Sequence, residues 1–192
     1  MKKKRTMAAT FVLALLTAGF LAGCGANLDR EVVVEKMILE VPSEWLEQPA
    51  ADNNEKEGEV SFIDEDDDRD IDETGDRIVV SYQKLDQTMK DRIESAQPLS
   101  ASAKILEMKK EEVEKEYGVI AWDIDDEETR VIEGAQVTIY EYSFVKEIDH
   151  VRHKYEYDIA YVLTPDMLYE IDVVGDKANI NAVIDTIEFQ SR

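Results

Sequence analysis

The sequence predicts an α+β domain: an antiparallel β-sheet meander covered by two main helices, following a cleaved export signal. Three observations carry this expectation. Apolar residues alternate in long runs at Ala135 to Lys146, Val151 to Thr164 and Met167 to Val174. The connections between these runs are too short to join anything but antiparallel neighbours. Near the end the period becomes helical, with Ile180, Val183, Ile184 and Ile187 spaced i, i+3, i+4, i+7. At the other end, Lys2, Lys3, Lys4 and Arg5 precede an apolar segment from Met7 to Ala22 that closes on small residues, the layout of an export signal.

The end of that segment is Leu21-Ala22-Gly23-Cys24. A leucine, two small residues and then cysteine resemble the lipobox of bacterial lipoproteins. The resemblance implies cleavage before Cys24, a diacylglycerol on its thiol and an acyl chain on the new amino terminus. It also implies an extracytoplasmic domain anchored to the cell membrane through that lipid. A spanning helix needs roughly 20 apolar residues, and this segment is shorter, with Gly19 and Gly23 near its end. Cys24 is the only cysteine, so an intramolecular disulfide is impossible.

Removing residues 1–23 leaves 169 residues, enough for one domain with one core. That remainder holds 18 Lys+Arg against 44 Asp+Glu, a formal charge near −26. Such a surface repels nucleic-acid phosphates and anionic headgroups, which argues against nucleic acid as a partner. It also leaves the lipid, not the surface, to hold the membrane, which two acyl chains do well and one does poorly. Basic protein surfaces, cations and neutral ligands are the partners this charge favours; solubility alone is the competing account.

Residues 24–30 are expected to form a lipidated tether, and residues 31–192 a single α+β domain. Val32 to Val34 and Met37 to Val41 form the first strand region, stopped by Pro42. Ser43 to Leu46 suggest a tight turn that folds Trp45 into the core, the alternative being an exposed binding residue. Residues 47–58 read as loop, and Val60, Phe62 and Ile63 as a short strand. From Asp64 to Asp76 nine of thirteen residues are acidic, so mutual repulsion predicts a solvated hairpin tip. Arg77 to Leu85 follows as a strand.

Thr88 to Ser100 carries no clear period, and Pro98 argues against one continuous helix there. Ala101 to Tyr117 reads as a helix capped by Ser100 or Ser102 and ended by Gly118, with Leu106, Val113 and Tyr117 as its apolar stripe and Glu111 paired with Lys115. Ile120, Trp122 and Ile124 then alternate before an expected acidic turn at Asp125 to Glu128. The closing helix is predicted over about Lys177 to Ile187, with Phe189 as a last apolar plug.

This order of elements resembles the PsbP/Mog-type fold, which joins the photosystem extrinsic protein PsbP, the Ran-binding Mog proteins and many small bacterial lipoproteins. The residues that carry the likeness are Val41-Pro42-Ser43-Glu44-Trp45, the central helix, the meander and Ile184-Asp185-Thr186-Ile187-Glu188-Phe189. It covers about residues 31 to 190. Its motifs are structural and bring no catalytic residues across. What the resemblance implies is a non-enzymatic binding or assembly module with a protein partner at the envelope.

The remaining chemistry is thin. The acidic run is a calcium candidate only through Asp70, Asp72 and Asp76, with Thr74 between and Gly75 at the sixth position. The twelfth position is then Ser81 where an EF-hand needs a bidentate glutamate, so the loop does not close. Starting at Asp66 instead places Ile71 at the glycine position and Arg77 at the twelfth. A calcium- or ligand-binding envelope lipoprotein is the runner-up reading. His150 and His153 are the only histidines, and three apart on a strand they point to opposite faces. No Gly-rich phosphate loop and no GxSxG elbow is present, and no cofactor is expected beyond the lipid on Cys24. The aromatic set Tyr140, Tyr142, Phe144, Tyr155, Tyr157, Tyr161 and Tyr169 either packs under the covering helices or forms a docking surface.

Overall fold

The computed structural model describes residues 27–65, 76–94, 103, 106–108, 110–111, 114–115, 121–148, 150–175 and 177–190. The leader, Leu21 to Cys24, Asp70 and Asp72 lie outside the described residues, as do Val113 and Tyr117.

Strands β1 (Leu28–Val34) and β2 (Met37–Pro42) form a hairpin, where one strand region was expected. The two-residue turn between them places Glu35 at φ 56, a conformation that glutamate does not announce. Leu28, Asp29 and Arg30, expected in the tether, belong to β1, and the Asp29 carboxylate accepts a 2.8 Å bond from the Ser43 backbone N–H. Hydrogen bonding from Ser43, its side chain first and then its backbone N–H, lowers the Asp29 pKa from the ordinary aspartate value. The chain then turns through Trp45, which is 2% exposed, so the core reading of that residue holds.

Next come β3 (Leu46–Pro49), β4 (Glu57–Ile63) and β5 (Arg77–Lys84), then α1 (Gln87–Glu94). Part of the expected loop is therefore an edge strand, and the stretch without a clear period begins as a helix. Asp86 caps α1, its side chain accepting from the Met89 N–H at 2.8 Å. Helix recurs at the described positions between 103 and 115, where Lys110 faces Glu114 at 3.7 Å.

The long meander is β6 (Ala121–Ile132), β7 (Ala135–Ile148), β8 (Val151–Leu163) and β9 (Met167–Val174). Asp125 to Glu128, expected as a turn, lie inside β6, where a register shift between Ile124 and Asp126 absorbs an extra residue. Four adjacent charges can sit there because β6 is an outer strand and most of its residues face water. The chain ends with α2 (Ile180–Asp185) and β10 (Glu188–Phe189). Helix α2 is shorter than expected because the Asn179 side chain accepts the Ala182 N–H and fixes its start. At the other end, the Thr186 hydroxyl donates to Val183 O while accepting from the Glu40 N–H.

Two sheets result, both antiparallel: β1-β2-β10, and β3-β4-β5-β9-β8-β7-β6. The small sheet and α2 bury Met37, Leu39, Trp45, Ile180 and Val183 against Val80, Val137, Val162 and Ile171 of the large one. On the opposite face, Met89, Ile93 and Leu106 pack on Tyr140, Tyr142, Phe144, Ile159 and Tyr161. The small sheet is what the sequence reading lacked. The rest is the expected meander with helices on it.

Candidate functional site: an acidic sheet face and an inter-sheet cleft

The described aromatics belong to the core. Tyr140, Tyr161 and Tyr169 are 1% exposed, Tyr142 and Phe144 5%, and Tyr157 is half-buried. Trp122 stacks on Tyr142 with centroids 4.6 Å apart, and Tyr157 stacks on Phe144 at 5.4 Å. Burial holds the Tyr142 and Tyr161 hydroxyls well above the ordinary tyrosine range, which keeps both neutral. These described rings offer no docking surface.

Asp76 sits at the neck of the acidic run, not at a solvated tip. Its side chain is fully buried, and the Asp64 N–H bonds the Asp76 carbonyl at 3.1 Å to close the hairpin base. Lys177 reaches in from the segment after β9. Its Nζ pairs with Asp64 and lies 3.9 Å from Asp76 Oδ2, and its backbone N–H donates to Asp76 Oδ1. Asp76 thus belongs to an ion-pair cluster in which both carboxylates are buried and the Lys177 side chain reaches solvent. His150 sits in a turn at φ 65, beside Glu147 at 3.5 Å, and His153 is exposed on β8. Among the described residues no group of three or more His, Cys, Asp or Glu is placed to hold a metal.

Register assembles an acidic face that spacing alone does not show. Asp126 of β6 stands opposite Glu141 of β7, which stands opposite Asp158 of β8. All three project from the side of the large sheet that carries Ile139, Ala160 and Val173, but beyond the cover that α2 provides. The edge of that cover is Arg130, whose Nη1 pairs with Asp185 at 2.8 Å and whose Nη2 bonds Asn181 at 3.2 Å. Asp126 and Glu141 are exposed and Asp158 is half-buried. Burial, and then the facing Glu141, raise the Asp158 pKa above the ordinary aspartate value. Like charges directly opposite across strands are destabilising, so this row costs stability in the isolated chain.

A second place lies at the other edge of the large sheet. A cleft of about 370 Å³ opens between β1 and the β3–β4 hairpin, lined by Arg30, Val32, Glu47, Val60, Phe62 and Tyr82 among others. The Arg30 guanidinium lies over the Phe62 ring, 5.6 Å from its centroid, within cation–π range. Its Nε and Nη2 are buried without a hydrogen-bond partner among the described residues. The wall opposite is hydrogen-bonded: Tyr82 donates to Asn54 O at 2.8 Å, and Asn53 bonds both the N–H and the C=O of Glu59. Nothing in the local sequence marks Arg30, because its ring partner Phe62 lies 32 positions away.

The solution structure of cyanobacterial PsbP (CyanoP) from Synechocystis sp. PCC 6803 matches with a TM-score of 0.58 and 12% identity, covering 92% of this chain and 99% of that one. The crystal structure of the Saccharomyces cerevisiae Ran-binding protein Mog1p matches with a TM-score of 0.51 and 12% identity, covering 85% of this chain and 96% of that one. The fold is PsbP/Mog-like. No family model and no curated protein matches the chain by sequence. At such identity the likeness establishes the fold and nothing about residues.

Proposed function

We propose that this chain is a lipid-anchored, extracytoplasmic protein-binding module that presents its acidic sheet face to a basic surface of an envelope partner, without catalytic chemistry of its own. The observation that carries the reading is the row Asp126, Glu141, Asp158, aligned by register across three paired strands and left uncovered by α2. A cationic partner relieves the repulsion within the row, so part of the cost of the face is recovered on binding. One structural neighbour, Mog1p, is a Ran-binding protein, so the fold supports protein recognition elsewhere. The anchor is Cys24, bearing diacylglycerol and an N-acyl chain, after removal of residues 1–23.

Both halves of the proposal have direct tests. Cys24→Ser is expected to move the protein from the membrane to the soluble extracytoplasmic fraction with its fold intact; continued membrane retention after export sinks the anchor. The triple variant Asp126→Asn, Glu141→Gln, Asp158→Asn is expected to stay folded while losing its co-purifying partner. Wild-type binding should weaken as salt rises. Retention of the same partner by the triple variant rules out docking through this face.

A further inference from the structure

The cleft around Arg30 contains an unmet demand. Nε and Nη2 form one edge of the guanidinium, with two parallel N–H bonds that match the two oxygens of a carboxylate. Both are buried and without a hydrogen-bond partner among the described residues, whereas Arg130, with only Nε unpartnered there, has both terminal nitrogens met by Asp185 and Asn181. Buried donors without acceptors are costly to keep. Glu31, Glu35 and Glu47 also line the cleft, yet none of them reaches this edge. An arginine inside with glutamates around it complements a carboxylate whose neighbour is cationic.

The backbone adds a second requirement. β1 is the outer strand of the small sheet and β3 an outer strand of the large one, so among the described residues each has one edge with no neighbouring strand. Both strands contribute residues to the cleft. A free edge accepts an extended peptide as one more strand. Val32, Val60 and Phe62 supply the apolar part of the lining, and the volume lies in the range of small-ligand sites, enough for a few residues only.

We infer that this cleft takes the carboxyl end of an extended peptide: the terminal carboxylate bidentate on Arg30 Nε and Nη2, an apolar last side chain beside Phe62, and a basic residue before it facing Glu31 and Glu47. The free edge is shielded from water, so the arriving carboxylate draws the guanidinium toward the mouth and exchanges an unpaired edge for a charge-assisted pair. This site lies at the β3 edge of the large sheet, and the acidic face at the β6 edge. It goes beyond the docking reading and does not depend on it.

Calorimetry on the purified full chain in detergent tests it, using an N-acetylated tripeptide ending in lysine and valine as the free acid and as the C-terminal amide. The acid is expected to bind and the amide to bind at least tenfold more weakly. Arg30→Lys keeps the charge but loses the fork, and should weaken the acid at least tenfold while leaving the amide unchanged. Equal binding of acid and amide, or no heat from the acid at millimolar concentration, overturns the inference. The acid–amide comparison is made on the unaltered protein, so a folding defect in a variant cannot disguise the answer. A partner captured on the acidic face with no tripeptide heat refutes this site alone; tripeptide heat with no such partner refutes the docking reading alone.

Discussion

Replacing Gly175 with alanine perturbs two things that can be separated, because Gly134 supplies the control. Both glycines hold positive φ, +90 at Gly175 and +88 at Gly134. An alanine in a left-handed conformation costs about 1–2 kcal/mol at either position. At Gly134 a new Cβ meets nothing within 4 Å, so the backbone cost is the whole effect. At Gly175 the Cβ falls 1.8 Å from Asp76 Oδ1 and 2.7 Å from its Cγ. The Asp76 carboxylate must then move, although it is fully buried, accepts the Lys177 N–H and faces the Lys177 ammonium. Losing a hydrogen bond to a charged group costs about 1.5–3 kcal/mol. Gly175→Ala is therefore expected to destabilise by about 2.5–5 kcal/mol and Gly134→Ala by about 1–2. Urea unfolding followed by circular dichroism reads both as midpoint shifts at constant slope. Equal shifts for the two variants refute the claim that Asp76 is locked at the base of the acidic run.

Trp45→Ala removes one of the largest fully buried side chains from between the two sheets, and should cost about 3–5 kcal/mol in the same assay; a loss below about 1 kcal/mol contradicts a core role. Asp158→Asn should act in the other direction. Its raised pKa means that the folded state holds this proton to higher pH than the unfolded chain, so stability falls as pH rises through the folded value. The asparagine is expected to gain roughly 0.2–1 kcal/mol at neutral pH, and the gain should vanish below the ordinary value of 3.8. A gain of equal size at pH 7 and pH 3 rules out the electrostatic origin.

Legibility in the sequence followed burial. β7, β8 and β9 could be read because their apolar residues alternate against a core on at least one face. The four isoleucine and valine positions from Ile180 to Ile187 were equally plain, and all are 4% exposed or less. The β1–β2 hairpin was missed because its turn uses Glu35 instead of the glycine or asparagine that normally marks positive φ. β6 was cut short for a different reason. Its middle buries nothing, so Asp125 to Glu128 carry no periodic signal and resemble a turn. The Asp86 cap of α1 could have been found from its spacing to Met89. Neither candidate site could be found in this way. The acidic row needs the registers of β6, β7 and β8, and the Arg30 cleft needs the packing of one sheet on the other.

The docking role of the acidic face is tested most directly by in-cell photocrosslinking from two positions, Glu141 on that face and Met108 on the opposite side of the large sheet, half exposed in the helical stretch around Leu106. The account predicts one discrete protein adduct from position 141 and none from position 108, with the adduct lost when Asp126 and Asp158 are neutralised. No adduct from position 141, or the same adducts from both positions, would contradict it.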